Sequence, residues 1–466
     1  MQFDSPTFLL FYPVVLVLYH LCASSLRLQN ALIAVASLIF YAWFDWRLSF
    51  LLLTYVLVGY GAALWIHAER DERRKSRLLA LFVALNLLGL GFFKYFDFLR
   101  ENVAAALALL GLESSWPFAS ILLPIGISFY CFQKIAYLVD VRQGKVEPER
   151  DLITFAAFGT FFCQLVAGPI ERAAHLMPQF QQPRRITRAG IEAGLWLCIW
   201  GMFLKVVAAD TVAGYANVAF QPSHHTDGWV VIEGTLAFTL QIYFDFNAYS
   251  LIAKGTAHLL GFDLVWNFDR PYFSTSAQEF WRRWHISLST WLRDYLYIPL
   301  GGNRRGTART YANLLITMVL GGLWHGASWS FALWGLLHGL ALCVERLFRA
   351  RFPRVVLPAA VGWALTMSVV VVGWFLFRVT SFEAAAALLG SLDRFTWKPF
   401  DRAAWLAMLA VGVPVFLIEW WQARAGDLLA PARLARVPYS ILLSVLLLAI
   451  FARFYGSPYA FLYFQF

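Results

Sequence analysis

Charge is rare along this chain and falls between long apolar runs. Uncharged stretches cover Ser5–Leu26, Leu28–Phe44, Leu48–Ala68, Leu78–Phe93, Ser114–Gln133 and Leu152–Ile170, and later Thr310–Val344, Val355–Phe377, Ala403–Ile418 and Val437–Ala452. A helix needs about 20 apolar residues to cross a bilayer, so these runs predict membrane-spanning helices. Thr310–Val344 is long enough for two passes, and Ala193–Ala209 and Gly228–Phe244 are weaker candidates interrupted by charge. The pattern predicts an all-α polytopic membrane protein with ten to twelve crossings. No repeat of 20–50 residues, low-complexity segment or detached soluble domain is apparent.

The stretch Glu279–Arg309 breaks the pattern, because it carries six arginines. Its apolar positions Trp281, Trp284, Ile286, Leu288, Trp291, Leu292, Leu296 and Ile298 recur at spacings of three and four, which predicts amphipathic helical pieces. Pro299 and Gly301-Gly302 stop them. Non-helical backbone at membrane depth survives only when buried in protein or lining a water-filled cavity. Short re-entrant or interfacial helices around a polar cavity are therefore expected here. Leu152–Ile170, which ends in Gly168-Pro169, is a second candidate for such a piece.

Composition supports the membrane reading: 60% of residues are hydrophobic and 14% charged, against about 25% charged in soluble domains. The net charge of +10 does not indicate nucleic acid, because the basic residues lie in short loops between apolar spans. That distribution is the positive-inside pattern. The loop His67–Arg77 carries five Arg/Lys and is expected on the cytoplasmic side. Counting back three helices puts the N-terminus outside. The first residues lack a basic n-region and a small-residue cleavage site, so they read as a first membrane helix rather than a removed signal. The five cysteines lie mostly in apolar segments without a CxxC pair, so neither zinc nor redox chemistry is indicated and no metal is expected.

An ionisable side chain in a membrane segment is a functional candidate by default, because it is costly to keep there. His325 lies in GGLWHGAS, a context that also brings Trp324 and Ser328 beside it. Glycines at 321, 322 and 326 allow close approach of a backbone or a ligand. A neutral imidazole there is suited to take a proton from an attacking hydroxyl. His285 follows WRRW, after Arg282, Arg283 and Trp284. It is placed either to orient an acyl group and stabilise an oxyanion, or to anchor a re-entrant helix. His338 is expected to pack between helices. Arg293-Asp294 reads as a local ion pair, with an Asp294–histidine contact as the alternative. The arginines at 282, 283, 304 and 305 read either as positive-inside anchors or as contacts for donor phosphates. Asp245 and Asn247 sit between aromatics in QIYFDFNAYS and need partners. They either line the same cavity or cross-link helices. The last residues, FLYFQF, are uncharged and aromatic and read as docked into protein or membrane. Tyr463, their one nucleophilic hydroxyl, is either an aromatic anchor or a reactive group. No HExxH, GxSxG, P-loop or GxGxxG occurs.

In these residues the chain resembles the membrane-bound O-acyltransferase family, and more narrowly its bacterial branch containing the alginate O-acetyltransferase membrane subunit. The resemblance covers nearly the whole chain. It rests on YAWFDWRLSF near Tyr41, LLPIGISFY at Leu122–Tyr130, LVAGPI at Leu165–Ile170, YFDFNAYS, EFWRRWHISLSTWLRDYLYIPLGGNRRG and LGGLWHGASW. It implies a ring of transmembrane helices around a thinned central funnel, within one membrane domain whose catalytic core is about 120–345. It implies that His325 is catalytic, with His285 beside it. The final FLYFQF, residues 461–466, resembles the FxYxxF motif of a small partner peptide in the related teichoic-acid D-alanylation system, which implies Tyr463 as acyl acceptor. The implied donor is acetyl-CoA as a substrate, with no tightly bound cofactor. The implied partner is a periplasmic SGNH-hydrolase-type acetyltransferase that esterifies a polysaccharide: alginate first, or peptidoglycan or a cellulose-like exopolysaccharide. A transporter and a non-catalytic scaffold remain as other classes. Internal symmetry of broken helices would favour the first, and the sequence shows none; undiminished acylation without His325 would favour either.

Overall fold

A computed structural model describes residues 1–112, 121–221, 227–379, 381–396, 399–454, 459 and 461–462. They fall into two compact units. The first comprises Met1, Ser5–Arg185 and Leu260–Leu264; the second comprises Gln2–Asp4, Ile186–Leu259 and Val265–Phe466.

The first unit holds α1 (Pro6–Leu21), α2 (Leu26–Ala42), α3 (Trp46–Ala68), α4 (Glu72–Leu109), α5 (Ile127–Arg142), α6 (Leu152–Thr160), α7 (Phe162–Leu165) and α8 (Ala173–Gln181). Capping residues set several of these boundaries. Ser5, Ser25, Asp45, Asp71 and Asp151 each accept from a backbone N–H in the first turn of the helix they precede. The basic loop expected over 67–77 is shorter than its charges suggest. Asp71 accepts from the Arg74 N–H at 2.8 Å and starts α4, so Arg73, Arg74, Lys75 and Arg77 lie on helix. Leu152–Ile170 is broken at Phe161 and makes two short helices rather than one span. Arg184 ties this unit together by donating to Tyr19 (2.5 Å), Asn30 (2.8 Å) and Gln29 (3.2 Å).

The second unit begins with α9 (Arg188–Met202), a π-helical stretch Phe203–Ala209, α10 (Asp210–Ala219) and α11 (Gly228–Leu259). The predicted amphipathic segment follows as α12 (Ala277–Arg283), α13 (Ile286–Leu292) and a second π-helical stretch Arg293–Tyr297. Then come α14 (Thr307–His325), α15 (Trp329–Arg351), α16 (Ala359–Arg378), α17 (Phe382–Gly390), α18 (Pro399–Ala425) and α19 (Arg436–Phe454). The run Thr310–Val344 is thus two helices that meet at Gly326–Ser328.

Seven helical spans among the described residues are long and apolar enough to cross a membrane: 46–68, 72–109, 188–219, 329–351, 359–378, 401–425 and 436–454. Helices α1 and α2 are apolar but shorter. Exposed leucine and phenylalanine side chains such as Leu88, Leu448 and Phe451 give α4 and α19 greasy outer faces, as hydrocarbon requires. The protein is a multi-pass membrane protein built from helices.

The glycines near His325 serve helix packing. A methyl group on Gly322 would fall on the Phe331 carbonyl, one on Gly335 would fall on the Met318 carbonyl, and one on Gly326 would fall on the Phe331 ring. These contacts bring α14 and α15 together at backbone distance, as small residues do between membrane helices. Gly322→Ala is expected to destabilise the protein by about 1–3 kcal/mol through overpacking. A lower midpoint in a detergent-solubilised thermal melt checks this. An unchanged midpoint would mean that the two helices are not packed this closely.

Candidate active site

The site is built on a break in the chain between α12 and α13. Ser276 caps α12 by accepting from the Glu279 N–H at 3.1 Å, and Glu279 reaches back to accept from the Thr275 N–H at 2.8 Å. This reciprocal pattern resembles a capping box. Arg283 then donates to Glu279 at 2.7 Å and closes the helix after two turns. The chain reverses at His285, which has φ 41° and ψ 54°. The left-handed region is unfavourable for a residue with a side chain, so the surrounding structure must hold it.

Asn267 does so. Its carbonyl accepts from the Ile286 N–H at 2.9 Å, and its side-chain oxygen accepts from the Ser287 hydroxyl at 2.8 Å. Its amide donates to Ser250 of α11 at 3.2 Å. The first backbone N–H groups of α13, which a helix leaves unsatisfied, thus end on one asparagine side chain and its carbonyl.

The same reversal carries the His285 ring into an aromatic cluster, where it is completely buried. Phe246 lies 4.7 Å away between ring centres, Trp324 5.9 Å and His325 6.2 Å. His325 is the last residue of α14 and is also buried. Trp324, Trp334 and Phe377 meet it edge-on at 5.0, 5.1 and 5.4 Å. At 6.2 Å the two imidazoles are spaced to contact one small group, such as a carbonyl, from two sides.

The other sequence-derived candidates divide. Trp324 and Trp284 belong to the cluster; Trp284 is buried and packs on Trp374 at 4.7 Å. Asn247 lines a water-sized pocket together with Tyr243, Arg270, Glu419 and Gln422. Phe268 in its wall touches Phe246, the neighbour of His285, at 5.0 Å. The Tyr243 hydroxyl donates to Glu419 across this cavity. Asp245 turns instead to Lys205, 3.1 Å away, and so cross-links helices. Ser328 caps α15 by accepting from the Ser330 N–H. Arg293 and Asp294 pair with each other at 2.8 Å. Arg283 is held by Glu279, and Arg282 is exposed. His338 packs between helices, against Phe280, Trp281 and Trp334. Tyr463 lies outside the described residues.

Sequence reasoning passed over Asn267, Lys205 and Glu419. The last two are lone charges in otherwise apolar stretches of α9–α10 and α18, the signal that singles out functional membrane residues. Asn267 carries no such signal, because its role is to hold a backbone conformation.

A helical membrane body with two buried histidines side by side at a strained chain reversal has the chemistry of an intramembrane group-transfer enzyme. The comparisons with known proteins give that class its name. The family model described as MBOAT, membrane-bound O-acyltransferase family, matches residues 31–385. The chain is 45% identical over 404 residues to the probable alginate O-acetylase AlgI of Pseudomonas putida, covering 85% of this chain and 81% of that protein. It is 34% identical over 422 residues to the peptidoglycan O-acetyltransferase of Helicobacter pylori, covering 83% and 79%. It is 29% identical over 235 residues to the teichoic acid D-alanyltransferase of Streptococcus thermophilus, covering 47% and 56%. The chain belongs to the membrane-bound O-acyltransferase family and is an O-acyltransferase.

Proposed function

We propose that this enzyme moves an acetyl group from cytoplasmic acetyl-CoA across a bacterial inner membrane to O-acetylate an extracytoplasmic polysaccharide. The observation that carries the proposal is the buried pair His285–His325, 6.2 Å apart between ring centres. His325 is the general base. It takes the proton of an attacking hydroxyl while that oxygen bonds to the thioester carbonyl carbon. His285 contacts the carbonyl oxygen as charge develops there. The C–S bond then breaks and the sulfur leaves with a proton as free coenzyme A. Trp324, Trp334 and Phe377 keep water out, which strengthens each polar contact inside. The small pocket of Tyr243, Asn247 and Glu419 lies one aromatic layer from His285 and places polar groups close to the reacting centre.

The attacking hydroxyl is assigned to Tyr463, which then passes the acetyl group to a periplasmic SGNH-hydrolase-type partner. Alginate is the favoured polymer, because the relatives at 42–45% identity bear the name alginate O-acetylase. Peptidoglycan is the second reading, and it rests on the Helicobacter pylori relative.

The test is ester-linked acetate, released by mild alkali, from separately purified exopolysaccharide and peptidoglycan. Strains expressing the wild type and His325→Ala at equal levels are compared. Acetate is expected to fall to the level of a strain lacking the protein in the exopolysaccharide only. A fall in peptidoglycan only transfers the proposal to that polymer, and no change in either overturns it.

A further inference from the structure

The second buried charge cluster of this unit lies on residues that the chemistry above does not use. Lys205 stands in the π-helical stretch between α9 and α10, a helix irregularity common at functional sites. It is 1% exposed. Its ammonium, which has three protons to donate, has three acceptors around it. These are Asp210 at 2.9 Å, Asp245 at 3.1 Å and the backbone carbonyl of Tyr459 at 2.8 Å. The other oxygen of Asp245 accepts from the Leu462 N–H at 2.5 Å.

Phe461, between those two backbone contacts, is buried. Its ring lies 4.8 Å from the Lys205 ammonium and 4.8 Å, edge-on, from Tyr249. Tyr249 also packs on Phe3, at 4.6 Å. Asp210, Asp245 and Asp4 share one ammonium in a water-poor site. Such groups need full satisfaction, and the carbonyl of residue 459 and the N–H of residue 462 supply part of it. The cluster therefore holds the chain by one carbonyl, at Tyr459, and one N–H, at Leu462.

We infer that Lys205 and Asp245 form a latch that holds Tyr459, Phe461 and Leu462 and thereby presents the residue next in sequence, Tyr463, for acyl transfer. Lys205, Asp245 and Asp210 are positioning residues. The inference rests on the reading of Tyr463 as acyl carrier, and its tests separate the two.

The direct test removes one proton donor. Leu462→Pro deletes the N–H that Asp245 accepts and leaves the cluster intact, whereas Leu462→Val keeps the N–H. Acetyl transfer in full-length protein reconstituted in liposomes is expected to fall at least tenfold for Leu462→Pro and less than threefold for Leu462→Val. The loss should appear in kcat, with the KM for acetyl-CoA unchanged. Carboxypeptidase digestion, read by intact mass, should stop near Leu462 in the wild type and in Leu462→Val. It should run past Tyr459 in Leu462→Pro and in Lys205→Met. Lys205→Met/Asp245→Asn serves where the single lysine variant does not accumulate.

Equal activity and equal protection of Leu462→Pro and Leu462→Val would overturn the latch. Tyr463→Phe distinguishes the underlying reading. If Tyr463→Phe transfers acetate at the wild-type rate while Leu462→Pro is unprotected, the carrier role and the presentation of Tyr463 both fall. If Tyr463→Phe is inactive while Leu462→Pro is active and protected, the carrier role stands and the latch falls.

Discussion

Replacing His325 by alanine is expected to lower acetyl transfer by about 10³-fold, while the protein accumulates and melts as the wild type does. The magnitude follows from the role assigned to the ring. A positioned general base contributes about 10²–10⁴-fold, and about 10³-fold corresponds to about 4 kcal/mol of barrier. The fold should tolerate the change. His325 ends α14 and makes its side-chain contacts with Trp324, Trp334 and Phe377 in a ring-lined box. Truncating it leaves a small space walled by aromatic rings. Steady-state transfer in reconstituted vesicles checks the rate, and thermal unfolding in detergent checks the fold. A variant with normal stability and more than a tenth of wild-type activity would remove His325 from the chemistry.

The second large effect belongs to His285, and there two substitutions are informative. His285→Ala and His285→Gly both delete the imidazole, so both are expected to lose about 10²–10³-fold of acetyl transfer, as removal of an oxyanion donor does. They should differ in stability. His285 has φ 41°, a conformation that glycine adopts freely and alanine does not. The glycine variant is expected to melt higher than the alanine variant, by an amount corresponding to about 1 kcal/mol. If alanine melts higher, the reversal at His285 is not strained as described. If either variant keeps wild-type activity, His285 is only a packing residue, and the oxyanion must be stabilised elsewhere.

The helical class and most helix positions are legible in the sequence, because hydrophobic length is a direct consequence of bilayer thickness. The two histidines are legible for a related reason: an imidazole among leucines and tryptophans is costly, so its presence calls for a function. The short helices of Glu279–Arg309 follow from their three-and-four spacing and from the proline and glycines that end them. What the pattern does not carry is direction. Asp245 and Phe246 are neighbours on α11, yet one turns to Lys205 and the other to the His285 ring. A helical periodicity puts both at membrane depth without saying which neighbour each meets. The reversal at His285 was also hidden, because a left-handed histidine has no sequence signature and its stabilising asparagine lies eighteen residues earlier, at Asn267. The glycines around His325 allowed a ligand or a helix to approach. Only the Phe331 and Met318 carbonyls opposite Gly322 and Gly335 decide for the helix.

The most direct measurement of the central claim is the fate of a labelled acetyl group. Purified enzyme in liposomes is given acetyl-CoA labelled in its acetyl carbon, quenched in acid within one turnover, and digested to peptides. Label on the peptide containing Tyr463, released by mild alkali and absent from His325→Ala, is the expected result. Label that reaches that peptide equally in His325→Ala would contradict the assignment of His325 as the base, and transfer of acetate to acceptor with no label ever found on Tyr463 would contradict the relay through the chain's own tyrosine.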